Sequence, residues 1–184
     1  DAIAMKMEAI CFTDHVDYGV KDDWDCGRPI IWRGGEPAAN VDYPAYAAKI
    51  EELQAVYGAE IEIKMGLEFG MQRHTIPQYE KLFQRYPFDF IILSVHQIED
   101  KEFWTQDFQQ GKSQKEYNER YYEELLCLVK SYQNYSVLGH MDLIARYDEN
   151  GIYPFEKTEP VISEILKTVI ETGKGIELNT SFHR

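Results

Sequence analysis

Short apolar segments of strand length alternate along the chain with segments whose apolar residues recur at helical spacing. We predict strands at residues 9–13, 61–67, 88–95, 136–139 and 176–178. We predict helices at residues 43–57, 78–86, 114–133 and 160–172, and the end of another helix at residues 1–8. Helices that alternate with buried strands are typical of parallel strands joined by crossover helices. The pattern therefore predicts an α/β fold, and both a doubly wound sheet and a closed barrel agree with it.

The clearest predicted helix covers residues 160–172, where aliphatic side chains repeat every three or four positions. Pro160 suits the first turn of this helix, because a helix start does not need its missing N–H. Gly173 suits the position just beyond the helix end. We therefore place this helix immediately before the last predicted strand.

Residues 16–42 form an irregular segment that is too long for a plain connection and contains four glycines and two prolines. Long segments of this kind often cover active sites. We interpret it as a lid, with an aromatic wall formed by Tyr18, Trp24 and Trp32. Its aspartates, which would favour a cationic substrate, are Asp17, Asp22, Asp23 and Asp25. A solvated acidic loop with buried aromatic side chains explains the same pattern equally well.

A side chain that can bind metal follows each of the first four predicted strands: His15, Glu68, His96 and His140. In a parallel barrel, residues at the carboxyl ends of different strands converge on one pocket. Three imidazoles and one carboxylate form a nitrogen and oxygen ligand set that suits zinc, manganese or iron. A single histidine after a strand is more often a capping or core residue. Repetition at four strand ends favours a shared metal site.

Composition restricts the partners of the protein. The 184 residues suit one domain, and 19 basic against 32 acidic side chains give a formal charge of −13. This charge repels a phosphate backbone, so we expect no nucleic-acid partner. A small phosphate ester stays compatible, because a few cations or metal ions reverse the field inside one pocket.

Two further features concern the location of the protein. No run of apolar residues is long enough to span a membrane, so we expect no membrane partner. The three cysteines are odd in number and lack C-x-x-C spacing, which is typical of reduced thiols in a cytoplasmic protein.

Four segments, FTDHVDYG, GLEFG, ILSVHQI and GHMDLIARYD, resemble in this order the polymerase-and-histidinol-phosphatase (PHP) superfamily. Within it, they are most similar to the histidinol-phosphatase branch, and the resemblance covers essentially the whole chain. It implies a distorted seven-stranded (β/α) barrel that holds two or three divalent metal ions, of zinc, manganese or iron. The metal ligands and catalytic residues of the family fall on His15, Glu68, His96 and His140.

Two further ligand motifs of the family, His-x-His on the first strand and Asp-x-His on the last, have no counterpart in the chain. We expect the first motif to precede Asp1 and the second to follow Arg184. Residues 1–184 would then form a single metallohydrolase domain that is truncated at both ends and lacks the first and last barrel strands.

Two arginines and two aspartates complete the predicted site. Arg146 and Arg184 lie just beyond the fourth and fifth strands, and a guanidinium can grip two phosphate oxygens. We predict that both bind phosphate, although a surface ion pair with Asp148 or Glu149 also explains Arg146. Asp14 and Asp142 flank predicted ligands, so we expect them either to orient imidazole rings or to cap a following turn.

The resemblance implies hydrolysis of the phosphomonoester L-histidinol phosphate to L-histidinol and phosphate, in histidine biosynthesis. The residues themselves indicate a small, cationic phosphate ester. The alternatives are another PHP phosphoesterase acting on nucleotides or DNA ends, and a non-catalytic PHP scaffold. Metal content separates an enzyme from the scaffold, because an enzyme should hold two or more ions and a scaffold one or none. Assembly into a homo-oligomer is left open.

Overall fold

The computed structural model describes residues 1–33 and 35–178. Its strands are β1 (Ala9–Val16), β2 (Trp32–Arg33), β3 (Glu36–Pro37), β4 (Glu62–Gly70), β5 (Phe90–Ser94), β6 (Gln97–Ile98), β7 (Lys101–Glu102), β8 (Val137–Leu138) and β9 (Gly175–Ile176). Its helices are α1 (Tyr43–Tyr57), α2 (Ile76–Arg85), α3 (Gln114–Ser131), α4 (Leu143–Arg146) and α5 (Phe155–Glu171), with a 3₁₀ turn at Arg73–Thr75. Within these ranges, no helix is both long and apolar enough to cross a bilayer.

The main sheet contains five strands, which pair in the order β1, β4, β5, β8 and β9. All four pairings are parallel, which confirms the predicted α/β fold. The order of these strands in the sheet is the same as their order along the chain. A doubly wound sheet instead reverses direction at an internal switch point, and the described strands show no such reversal. Because parallel crossovers are right-handed, strands added in one direction carry their helices on one face.

Local sequence explains where the helices begin. Helix α1 has the predicted bounds, and the side chain of Asp42 caps it by accepting a hydrogen bond from the Ala45 N–H. Helix α3 begins with a capping box in which Ser113 and Glu116 satisfy each other's backbone N–H groups. Asp42 and Ser113 suit these starts because their short polar side chains bond to backbone N–H groups that have no partner in the first turn of a helix.

Two predictions about helices are wrong. Residues 1–8 form turns without a helix, and the positive φ of Lys6, 57°, is incompatible with helical continuation. Helix α5 begins at Phe155, so Pro160 lies inside it and not in its first turn. The proline removes one main-chain donor, but the buried side chains of Ile165 and Val169 hold this helix on the core. Tertiary packing of an apolar face outweighs local propensity here.

The core lies between the sheet and the covering helices and is rich in tyrosine. Tyr79, Tyr117, Tyr121 and Tyr132 are almost completely inaccessible to solvent. A smaller apolar cluster beneath α1 consists of Ile50, Ile61, Ile63 and Met65. These two clusters fix the sheet from which the polar side chains at the strand ends project.

One buried tyrosine joins the ends of the two longest strands. The Tyr79 hydroxyl lies 2.7 Å from the carbonyl oxygen of Val16 in β1 and 2.9 Å from that of Gly70 in β4. It also accepts a hydrogen bond from the backbone N–H of Tyr18 at 3.2 Å. Burial raises the pKa of Tyr79 well above its ordinary value, so the hydroxyl keeps its proton. Helix α2 thereby holds the end of β1 against the end of β4.

Replacing Tyr79 by Phe should lower the free energy of unfolding by about 1–3 kcal/mol, because buried backbone groups lose their partner. Tyr57→Phe is the matched control, since the Tyr57 side chain is exposed at the end of α1. Urea unfolding of both variants measures the difference. Equal stabilities of the two variants would contradict the structural role assigned to the Tyr79 hydroxyl.

Candidate metal centre

The carboxylate of Glu68, near the end of β4, faces three imidazole rings. Strand register places His15 of β1 directly beside Glu68, and the His15 Nε2 atom lies 3.5 Å from Glu68 Oε2. His96 follows β5 and His140 follows β8, and the Nε2 atom of each lies 2.9 Å from Glu68 Oε1. Ser94 also donates to Oε1, at 2.9 Å. The four predicted ligands therefore meet at one face of the sheet.

The rings are close to one another as well as to the carboxylate. His15 and His96 are stacked, with ring centroids 4.8 Å apart, and the His96 and His140 centroids are 5.4 Å apart. One ligand atom each from His15, Glu68 and His96 lies within 4.8 Å of the others. This spacing allows these three residues to bind one ion, and His140 adjoins the group through Glu68.

The donors present fit a divalent transition-metal ion. Glu68 and His140 are buried, and the Nδ1 atom of His140 has no hydrogen-bond partner among the described residues. Buried polar nitrogens are normally paired. Imidazole nitrogens and carboxylate oxygens are the ligands that zinc, manganese and iron accept in proteins. The main chain of His140 is held separately, by a hydrogen bond from its N–H to Glu177 Oε2 at 3.1 Å.

The electrostatics of the site are governed by the contacts around Glu68. Burial would raise the pKa of Glu68, but the hydrogen bonds and charges of the surrounding histidines hold it well below its ordinary value. Burial would lower the pKa of His96, but Asp17 and Glu68 raise it to about 9. Burial and the neighbouring His96 lower the pKa of His15. Because an imidazole must lose its proton to bind a metal, protons and metal ions compete for His96.

Asp17, one of the four loop aspartates expected to favour a cationic substrate, makes contacts that the sequence did not indicate. It is buried, with Oδ1 2.6 Å from His96 Nδ1 and Oδ2 2.7 Å from Lys21 Nζ. Burial would raise its pKa, but His96 and Lys21 lower it to about 2. Strand β1 continues to Val16, three residues beyond the predicted strand end, and carries Asp17 into the site.

The two aspartates predicted to orient imidazole rings are exposed. Asp14 is adjacent to His15 in β1, so its side chain points to the opposite face of the sheet. Asp142 precedes α4, and its side chain does not cap that helix. Among the described residues, neither carboxylate has a hydrogen bond to an imidazole ring, and Asp17 makes this contact with His96 instead.

A cavity of about 460 Å³ opens beside the carboxylate and the rings. Its lining consists of His15, Asp17, Lys21, Glu68, His96, Gln97, Glu102, Trp104, His140, Leu143, Arg146 and Tyr147. The Nε atom of Arg146 is buried and lacks a hydrogen-bond partner in the described part of the chain. Among the described residues, Arg146 forms no ion pair with Asp148 or Glu149, and Asp148 instead accepts hydrogen bonds from other side chains, including Tyr117. The other predicted phosphate ligand, Arg184, lies outside the described residues.

The aromatic wall of this cavity differs from the predicted one. It is formed by Trp104 and Tyr147, and not by Tyr18, Trp24 or Trp32. Tyr18 packs edge-on against the Tyr79 ring, and the two predicted tryptophans are exposed on the surface. The segment 16–42 therefore contributes polar groups to the cavity, through Asp17 and Lys21, and no aromatic lid.

The parallel sheet and the cluster of Glu68 with the strand-end histidines agree with the family that the sequence motifs indicated. The PHP domain family model matches residues 1–181, and the chain belongs to this family. The resemblance found in the four sequence motifs is thereby confirmed.

Three relatives similar in sequence to this chain are named histidinol-phosphatase or probable histidinol-phosphatase. The chain is 32% identical over 183 residues to the histidinol-phosphatase of Lactococcus lactis, covering 98% of this chain and 63% of that protein. It is 25% identical over 121 residues to a probable histidinol-phosphatase of Clostridium acetobutylicum, covering 65% of this chain and 48% of that protein. The crystal structure of the Lactococcus lactis histidinol phosphate phosphatase, complexed with zinc, L-histidinol and phosphate, matches with a TM-score of 0.80. That match covers 100% of this chain and 66% of the solved chain, so this chain spans less than two thirds of both Lactococcus sequences.

Proposed function

We propose that the protein is a metal-dependent phosphomonoesterase that hydrolyses L-histidinol phosphate to L-histidinol and phosphate. The observation that carries this proposal is the convergence of three imidazole Nε2 atoms on Glu68, beside Arg146, whose Nε atom has no hydrogen-bond partner among the described residues. The likeness to a phosphatase solved with zinc, L-histidinol and phosphate supports the same substrate.

His15, Glu68, His96 and His140 would hold the metal ions, of which we propose two or three. When bound, such ions supply Lewis acidity toward the oxygens of the phosphoryl group. Glu68 contacts His15, His96 and His140, which lie at the ends of three different strands. These contacts hold the side chains in position before substrate arrives. Such preorganised groups lower the reorganisation required during the reaction.

Arg146 would bind the phosphoryl group. The Arg146 side chain lines the cavity, and its buried Nε has no hydrogen-bond partner among the described residues. A charge-assisted contact of this type contributes about 1.5–3 kcal/mol. Lys21, which also lines the cavity, adds a second positive charge beside the site. We propose the same phosphate-binding role for Arg184.

The remainder of the cavity suits a cationic, aromatic alcohol as the leaving group. Glu102 provides a carboxylate and Trp104 an indole ring, while Leu143 and Tyr147 provide apolar surface. Histidinol carries an amine and an imidazole, which match a carboxylate and an aromatic face respectively. The chemistry of the lining thus favours a substrate of this kind over a nucleotide with additional negative charge.

We also propose that the five parallel strands are consecutive members of a distorted seven-stranded (β/α) barrel and that residues 1–184 belong to one domain. The uninterrupted strand order supports the barrel. In a barrel, the carboxyl ends of the strands gather the functional side chains, in agreement with the positions of His15, Glu68, His96 and His140.

The metal-loaded protein should release phosphate from L-histidinol phosphate faster than from nucleoside monophosphates or phosphorylated DNA ends. His140→Ala should lower both turnover and bound metal, turnover by roughly a hundredfold or more, because loss of a ligand forfeits several kcal/mol of Lewis-acid stabilisation. Phosphate release and metal analysis measure both effects, with the exposed His74→Ala as control.

Three results would contradict this proposal. A metal-loaded protein that hydrolyses none of these esters would be a scaffold. Faster hydrolysis of nucleotides or DNA ends would identify a different phosphoesterase. Unchanged turnover and metal content in the His140→Ala variant would remove His140 from the ligand set.

Arg146→Ala should reduce kcat/KM by roughly tenfold to a hundredfold, since each 1.4 kcal/mol of lost phosphate binding corresponds to about tenfold. Lysine at this position should restore only part of the loss, because it keeps the charge but lacks the planar fork. Bound metal should be unchanged. Arg85→Ala is the control, since Arg85 is exposed and faces Asp25 on the surface. A drop in bound metal, or equal kinetics of both variants, would refute the phosphate-binding role.

A further inference from the structure

The two ring nitrogens of His96 contact different carboxylates. Nε2 lies 2.9 Å from Glu68 in the candidate metal centre, and Nδ1 lies 2.6 Å from Oδ1 of Asp17. Asp17 is only 4% exposed. His96 therefore lies between two carboxylates, with Glu68 at its Nε2 atom and Asp17 at its Nδ1 atom.

We propose that Asp17 is the positioning residue of His96: it accepts the Nδ1–H and so directs the Nε2 lone pair toward the metal. This inference rests on the proposed metal site. A carboxylate on the far nitrogen of a metal-binding imidazole fixes both the tautomer and the orientation of the ring. Neither of the aspartates adjacent to the predicted ligands in sequence makes this contact.

Asp17 is itself held from two other directions. Its Oδ2 atom accepts a hydrogen bond from Lys21 Nζ at 2.7 Å, and its backbone N–H donates to Asn40 Oδ1 at 2.8 Å. Asn40 is buried and donates in turn to Asp23 Oδ1 at 2.9 Å. The irregular segment that follows β1 thus fixes the carboxylate against the ring, although most of that segment lies away from the cavity.

Gly70, the last residue of β4, leaves space for this contact. A Cβ atom at position 70 would lie 2.0 Å from Asp17 Oδ1 and 2.5 Å from His96 Nδ1. Both distances are far below a van der Waals contact, so a larger residue would separate the two side chains. The backbone next to the metal centre is therefore shaped around the pair of Asp17 and His96.

A purely structural ion pair between Asp17 and Lys21 is the competing explanation. Such a pair would affect unfolding but not the affinity of the folded protein for metal. Orientation of His96 would instead affect metal affinity even in a fully folded variant. Metal affinity, measured apart from catalysis, separates the two roles.

The test compares Asp17→Asn with the wild type, using zinc affinity from competition with a chelator. We expect zinc to bind about 10–100-fold more weakly, the usual effect of losing such a support. The amide is similar in size, and it can donate to Nδ1 and favour the wrong tautomer. Asp25→Asn, which removes a charge from the exposed part of the same segment, should leave zinc affinity unchanged.

The outcomes distinguish this inference from the proposed function. If the wild type does not bind zinc, the metal site and the role of Asp17 both fail. If the wild type binds zinc and His96→Ala weakens binding, but Asp17→Asn equals the wild type, only the role of Asp17 fails.

A second measurement does not depend on the folding of a variant. Nitrogen-15 NMR of the zinc-loaded wild type should show His96 protonated at Nδ1 and bound to metal through Nε2. Zinc on Nδ1, or an Nδ1 without a proton, would overturn the inference.

Discussion

The carboxylate of Glu68 is buried near the end of a strand, and its charge needs hydrogen-bond donors around it. This need explains the arrangement of the site. Burying the charge of Glu68 is costly unless donors surround it. The parallel sheet provides them, since His15 lies beside Glu68, His96 follows β5 and His140 follows β8. Because all four side chains lie at the carboxyl ends of adjacent strands, one sheet face brings together candidate ligands from four distant parts of the sequence.

The ends of β1 and β4 are fixed by interactions that serve both the fold and the site. Tyr79 joins the backbone of the two strand ends from the helix side, at Val16 and Gly70. Immediately beyond these residues, Asp17 meets His96 in the space that Gly70 leaves open. A change in this small region should therefore alter both stability and the geometry of metal binding, which is typical of a site built on rigid elements.

The sequence predicted the α/β fold and the convergence of His15, Glu68, His96 and His140, because both follow from periodicity and from residues adjacent to strands. It did not identify Asp17, because its role depends on how far β1 continues beyond His15 and on a contact with a residue 79 positions away. Trp104 was missed for a similar reason, since it follows the short β6–β7 pair and no local pattern indicates that it lines the cavity. The helix start predicted at Pro160 was wrong, because α5 begins at Phe155 and tertiary packing accommodates the proline inside it.

Anomalous diffraction from crystals of the protein grown with zinc and phosphate can determine whether Glu68 and its three imidazoles form a metal centre. We expect anomalous density within bonding distance of Glu68 and of imidazole nitrogens, with phosphate between that density and Arg146. Zinc bound only at surface residues, with no anomalous density beside Glu68, would contradict this expectation.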